Sequence, residues 1–73
     1  MKKYLAIFPG VWGDEIRRTY KTRGRAITEA KKHLAACQDC NTSHFAEVWE
    51  YMPIGGKELI YIADTDGNEK INY

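Results

Sequence analysis

Apolar residues fall in six short runs separated by turn-forming residues, and only one of the six has helical spacing. Lys3 to Phe8, rich in Leu, Ile and aromatics, predicts a first strand that stops at Pro9-Gly10. After a loop around Val11-Trp12-Gly13-Asp14, Glu15 to Arg23 alternates as a second strand. Its period of two puts Ile16, Arg18, Tyr20 and Thr22 on one face and Arg17, Thr19, Lys21 and Arg23 on the other. Ile16 and Tyr20 select the first face for the core, and Gly24 ends the pattern. From Ala26 to about Cys37, Ile27, Ala30, Leu34 and Cys37 recur at steps of three and four, which stacks them on one side of a helix. Glu29, Lys31, Lys32 and His33 fall largely outside that stripe. Neither Arg25 nor Ala26 can cap the helix start, while Asp39 and Asn41 supply stop chemistry.

His44 to Met52 predicts a third strand, and Pro53-Ile54-Gly55-Gly56-Lys57 turns the chain into a fourth, Glu58 to Asp64. Asp66-Gly67 is a hairpin signal that returns the chain as a short fifth strand, Glu69 to Tyr73. The expected order is β-β-α-β-β-β: one α+β domain over residues 1–73, with a single helix packed on a four- to five-stranded antiparallel sheet. Strands three and four carry bulky apolar groups on both faces, so the face without the helix is expected to expose an apolar patch of the kind that marks an interface.

Size changes the functional prior. A chain of 73 residues buries only about 60% of its unfolded surface, and an enzyme pocket would consume part of a thin core. Apolar residues at 44% and charged residues at 29% argue against disorder. No apolar run reaches the roughly 20 residues of a membrane span. The Met1-Lys2-Lys3 start has the charge of a signal peptide, but its apolar run ends at Pro9-Gly10 without a small-residue cleavage site, so a cytoplasmic location is expected. Cys37 and Cys40 are too close in sequence to staple a long loop, which agrees with a reducing compartment. Net charge is +1, yet residues 1–36 hold nine Lys/Arg against three Asp/Glu, and residues 37–73 hold two against seven. Such polarity steers association with charged partners.

The densest candidate chemistry is His33-x3-Cys37-x2-Cys40-x3-His44, the ligand types of a Cys2His2 zinc site. All four lie on one helix end and the following loop, where a metal would staple little, and Cys37 also fits the apolar stripe as an ordinary small core residue. No resident metal or cofactor is expected, with a zinc-stabilised structural module as an alternative. As a redox pair, Cys37 and Cys40 sit at the wrong helix end, because the dipole favours thiolate at the N-terminus. Asp64-x-Asp66-Gly67-Asn68 has the acids of a calcium loop, but its twelfth-position ligand would fall past the last residue. No Ser-His-acid set, phosphate-binding glycine loop or His-Glu-x-x-His is present, and a non-enzyme is expected.

Arg17, Arg18, Lys21, Arg23 and Arg25 place five cations in nine residues without an acid, followed by Lys31 and Lys32. This stretch is either a phosphate-tracking surface, with Tyr20 or Trp12 stacking on bases, or a solvated strand face that balances the acidic half. Trp12, between Gly10 and Gly13, is either an exposed binding anchor or a lid over the sheet edge.

The strand Met1-Lys2-Lys3-Tyr4-Leu5-Ala6-Ile7, the helix start Ile27-Thr28-Glu29-Ala30-Lys31-Lys32, the passage from Cys40 to Trp49 and the Asp66-Gly67 hairpin together resemble the small proteins of phages and mobile elements. More narrowly, they resemble one-helix, antiparallel-sheet anti-CRISPR proteins of the type I-F inhibitor group. The resemblance implies a non-enzymatic inhibitor that binds a Cas effector complex in the host cytoplasm. The partner expected on that basis is a host protein or nucleoprotein complex, with direct nucleic-acid binding as the alternative and the protein itself a monomer or homodimer.

Overall fold

A computed structural model describes residues 3–39 and 43–72. Five strands and one helix follow in the order β1 (Tyr4–Pro9), β2 (Glu15–Tyr20), α1 (Arg23–Ala36), β3 (Phe45–Tyr51), β4 (Lys57–Asp64) and β5 (Glu69–Ile71). The strands form one antiparallel sheet ordered β2-β1-β3-β4-β5. The α+β order read from the periodicity is therefore the observed one, with five strands.

The helix lies on one face of the sheet, mainly over β1 and β3. Alternation delivers Tyr4, Ala6 and Phe8 from β1 and Ala46 and Val48 from β3 to that face, where they meet Ala26, Ile27 and Ala30 of α1. Alanines on both sides let the helix approach closely, while Phe8, Val48 and Tyr61, each under 2% exposed, fill the volume that remains. Between Val48 and Trp49 the register with β4 shifts: Val48 faces Tyr61 but Trp49 faces Leu59. Ile60 is the extra residue of this bulge, so Ile60 and Tyr61, adjacent in sequence, are both buried in the core.

Several boundaries differ from those expected. β2 ends at Tyr20 rather than Arg23, because Thr22 is the N-cap: its hydroxyl accepts from the Arg25 amide at 3.3 Å. The helix thus starts at Arg23, and Gly24 sits in its first turn instead of breaking the chain. β3 stops one residue short at each end, β4 starts one residue early, and β5 ends at Ile71, with Tyr73 outside the described residues. His33, expected outside the apolar stripe, is half-buried and stacks on Phe8 with ring centroids 4.3 Å apart and planes 9° from parallel. The aromatic ring of Phe8 reaches beyond the alanine-lined centre and takes the imidazole as its cover.

The β1–β2 loop is locked to the rest of the molecule. Gly13 adopts φ +92°, the left-handed region, and a Cβ there would come within 2.8 Å of the Asp39 carboxylate and 3.0 Å of the His44 ring. Only glycine meets both demands. The Gln38 amide donates to the Val11 carbonyl at 2.7 Å, tying the same loop to the segment after the helix.

Candidate interaction surfaces

Because β1, β2 and α1 come from the N-terminal half and β4 and β5 from the other, the charge asymmetry of the sequence becomes spatial. β2 is the basic edge of the sheet and β5 the opposite edge. The cations do not share one strand face, however. Arg17 is on the face away from the helix and pairs with Glu15 at 3.0 Å, both side chains 62% exposed, an arrangement worth at most about 1 kcal/mol. Arg18 lies on the helix side of β2, Lys21 in the bend after it, and Arg23 and Arg25 in the first turn of α1. That turn holds no acid, so two cations stand at the positive end of the helix dipole, a combination that attracts anions. Arg25 also reaches Glu29 at 3.5 Å.

Lys31 belongs to the other side of the molecule. Its ammonium is 3.2 Å from Glu69 on β5 and 5.7 Å from the Tyr61 ring centroid. The Tyr61 hydroxyl donates to the same carboxylate. This hydrogen bond first, and Lys31 second, hold the Glu69 carboxyl below the usual carboxylate range. Lys32 is exposed on the helix. Tyr20 is half-buried against the core, which leaves little of its ring for stacking on a base.

Trp12 is 74% exposed and Val11 47%. Trp12 is thus exposed rather than folded over the sheet edge. Trp12 precedes β2 and Lys21 follows it, so the six residues of the strand set them about 20 Å apart. The tryptophan and the Lys21–Arg25 cations form two separate surfaces.

The proposed zinc ligands are dispersed. His33 stacks on Phe8 and lies 3.6 Å from Glu29, His44 Nε2 is 2.9 Å from the Asp39 carboxylate, Cys37 is a half-buried free thiol, and Cys40 lies outside the described residues. Among the described residues, no group of three or more His, Cys, Asp or Glu could hold a metal ion. The Asp64 carboxylate accepts from the Asp66 and Asn68 amides at 3.0 and 2.9 Å and from the Asn68 side chain at 3.0 Å. The calcium-like acids are thus the fastening of a hairpin. The Asn68 side chain is the main cause of an Asp64 carboxyl below its usual range.

The face of the sheet away from α1 could be anticipated only in outline. In register across it lie Leu5, Trp49 and Leu59, then Ile7, Glu47 and Ile62, with Phe45 and Tyr51 nearer the ends of β3. Phe45 is 54% exposed and Tyr51 39%. Trp49 Nε1 donates to Glu47 at 3.0 Å, and Lys57 stands 5.0 Å from the Trp49 ring centroid. The alternation of β3 signals this face; which strands flank it is not a local property. Among the described residues, no helix is long and apolar enough to cross a membrane. No family model, curated protein or solved structure matches the chain.

Proposed function

We propose that the protein is a non-enzymatic binding module of the inhibitor kind, which works by occupying a surface of a host protein or nucleoprotein complex. The observation that carries this is Trp12, a large aromatic side chain held out in solvent by a loop that is itself held in place. Hydrogen bonds from Gly13 to Gly10 at 3.1 Å and from Gln38 to Val11 at 2.7 Å fix the loop, and Gly13 packs it against Asp39 and His44. A pre-positioned tryptophan loses little entropy on docking, and buried tryptophans dominate binding energy at interfaces. The resemblance to anti-CRISPR proteins makes a Cas effector complex the first target to try, in the cytoplasm of a bacterial host. Tagged protein should recover such a complex from nuclease-treated lysate, and Trp12→Ala should lose it while keeping the same thermal melt. Capture that is unchanged in Trp12→Ala rules the loop out as the anchor, and no Cas protein in the wild-type eluate rules out that target.

A second reading is favoured by a different observation, the succession of Arg18, Lys21, Arg23 and Arg25 from the edge strand through the bend into the acid-free first turn of α1. Such a cluster tracks phosphates. Affinity for bare DNA or RNA would then fall steeply with added salt and would be abolished by Arg18→Glu with Lys21→Glu. Salt-independent binding, or none, excludes it.

A further inference from the structure

We propose that the free edge of β2 binds an extended, acidic peptide segment of a partner protein, which adds a sixth strand to the sheet. The direction of each backbone group follows from two bonds at the strand ends. One step beyond the Pro9–Glu15 pair, the Gly10 amide donates to the Asp14 carbonyl. One step beyond the Tyr4–Glu50 pair, the Tyr51 amide donates to the Lys3 carbonyl at 3.0 Å. Antiparallel bonding alternates along a strand, so Tyr4, Ala6 and Phe8 bond to Tyr20, Arg18 and Ile16, while Leu5 and Ile7 turn to β3. Glu15, Arg17 and Thr19 are left to aim their amides and carbonyls out of the sheet, where none of the described residues takes them. Such a row of alternate donors and acceptors is a template for another strand. The opposite edge, β5, is only three residues long.

The side chains along this edge select an acidic occupant. Arg17 and Arg18 project to opposite faces at its centre, and Lys21, Arg23 and Arg25 follow beyond its end. The nearby acids are Asp14 and Glu15 at the start of the strand and Glu29 on α1. Glu15 is 3.0 Å from Arg17, and Glu29 is 3.5 Å from Arg25 and 3.6 Å from His33. Arg18 and Lys21 make no ion pair among the described residues. An added strand sets one residue opposite Arg17 and the next opposite Arg18, positions where opposite charges stabilise a pair and like charges destabilise it. A second copy meets that penalty. Of the antiparallel registers that join outward residues to outward residues, the two that pair five residues of each β2 set Arg17 on Arg17 or Arg18 on Arg18. The register that sets Glu15 on Arg17 pairs only three. Nucleic acid would use the same cations, as in the second reading above, but it has no peptide groups to fill the edge. The inference does not rest on Trp12.

The test titrates the full chain with a peptide of about eight residues, alternating glutamate and valine, up to about 1 mM, and reads amide hydrogen exchange residue by residue. The amides of Glu15, Arg17 and Thr19 should slow at least about tenfold, while those of Ile16, Arg18 and Tyr20, already bonded to β1, change little. The same peptide with lysine in place of glutamate should bind at least about tenfold more weakly. Thr19→Pro removes one outward amide without a change of charge and should abolish peptide binding. Arg17→Glu with Arg18→Glu leaves the edge backbone intact and should prefer the lysine peptide. Protection that does not alternate, equal binding of the two peptides or no binding up to that concentration overturns the proposal. So does a folded Thr19→Pro protein that binds as before. The same protection arising from protein concentration alone assigns the edge to a second copy and also overturns it. An oligonucleotide that binds where the peptide does not leaves the cations to the second reading and overturns it too.

Discussion

Val48 and Ile54 are both β-branched and apolar, and by side-chain size alone Ile54 is the more valuable. The structure reverses that order: Val48 is 0% exposed under the helix, whereas Ile54 is 98% exposed at the tip of the β3–β4 turn. Val48→Ala removes two buried carbons, about 1.6 kcal/mol of transfer free energy at about 0.8 per methylene. A residual cavity of roughly 50 Å³ adds about 1.2 kcal/mol at about 24 cal/mol per Å³. The sum, about 2–3 kcal/mol, is a large part of the roughly 4–11 kcal/mol available to a chain of this length. At about 4–8 °C per kcal/mol, the melting temperature should fall by about 10–20 °C. Ile54→Ala should stay within about 0.5 kcal/mol of the wild type. Thermal melts followed by circular dichroism, at one fixed protein concentration so that self-association does not enter, decide the matter. A loss for Ile54→Ala equal to that for Val48→Ala, or a Val48→Ala shift of under about 4 °C, would refute the placement of the core.

Three further outcomes are expected. Thr22→Ala should cost about 1 kcal/mol as a lost N-cap, while Thr22→Asp should keep or raise stability because the first turn holds cations and no acid; urea midpoints at constant slope report both. Asp64 and Glu69 have folded-state carboxyls below their usual range, so on acidification the unfolded chain binds protons first. Their contribution is present above the ordinary carboxylate range and is lost as pH falls through the folded values. Asn68→Ala removes the main cause at Asp64 and should flatten the acid limb of stability measured down to about pH 3; an equally steep limb would remove the hairpin from the explanation. Tyr61→Phe should cost about 1–2 kcal/mol through the lost bond to Glu69, and Lys31→Met under about 1 kcal/mol because its ion pair is half-exposed; a larger loss at Lys31 would invert that ranking.

Element type was legible where the apolar rhythm is local. Ile27, Ala30 and Leu34 mark the helix, Ile16 and Tyr20 mark the buried side of β2, and Asp66-Gly67 marks the last hairpin; the structure has all three. The reading failed where a residue's role is set by a neighbour far along the chain. Thr22 alternates as a strand residue, yet it caps a helix whose position is dictated by packing on β1 and β3. His33 has a polar face on the helical wheel, yet the Phe8 ring claims it. His33 and His44, candidate ligands by spacing, are each turned to a different partner.

The sequence by itself determined the order and type of the elements, the apolar character of both faces of the central strands and the division of charge between the halves. Those properties depend on the two backbone periods and on composition. Only the tertiary structure decided that β2 and β5 are the edges, that the bulge opposite Val48 and Trp49 buries Ile60 beside Tyr61, and that the cations spread over an edge, a bend and a helix start. Strand order and register arise from pairing between residues distant in the chain, and no local pattern encodes which distant segment is the better partner.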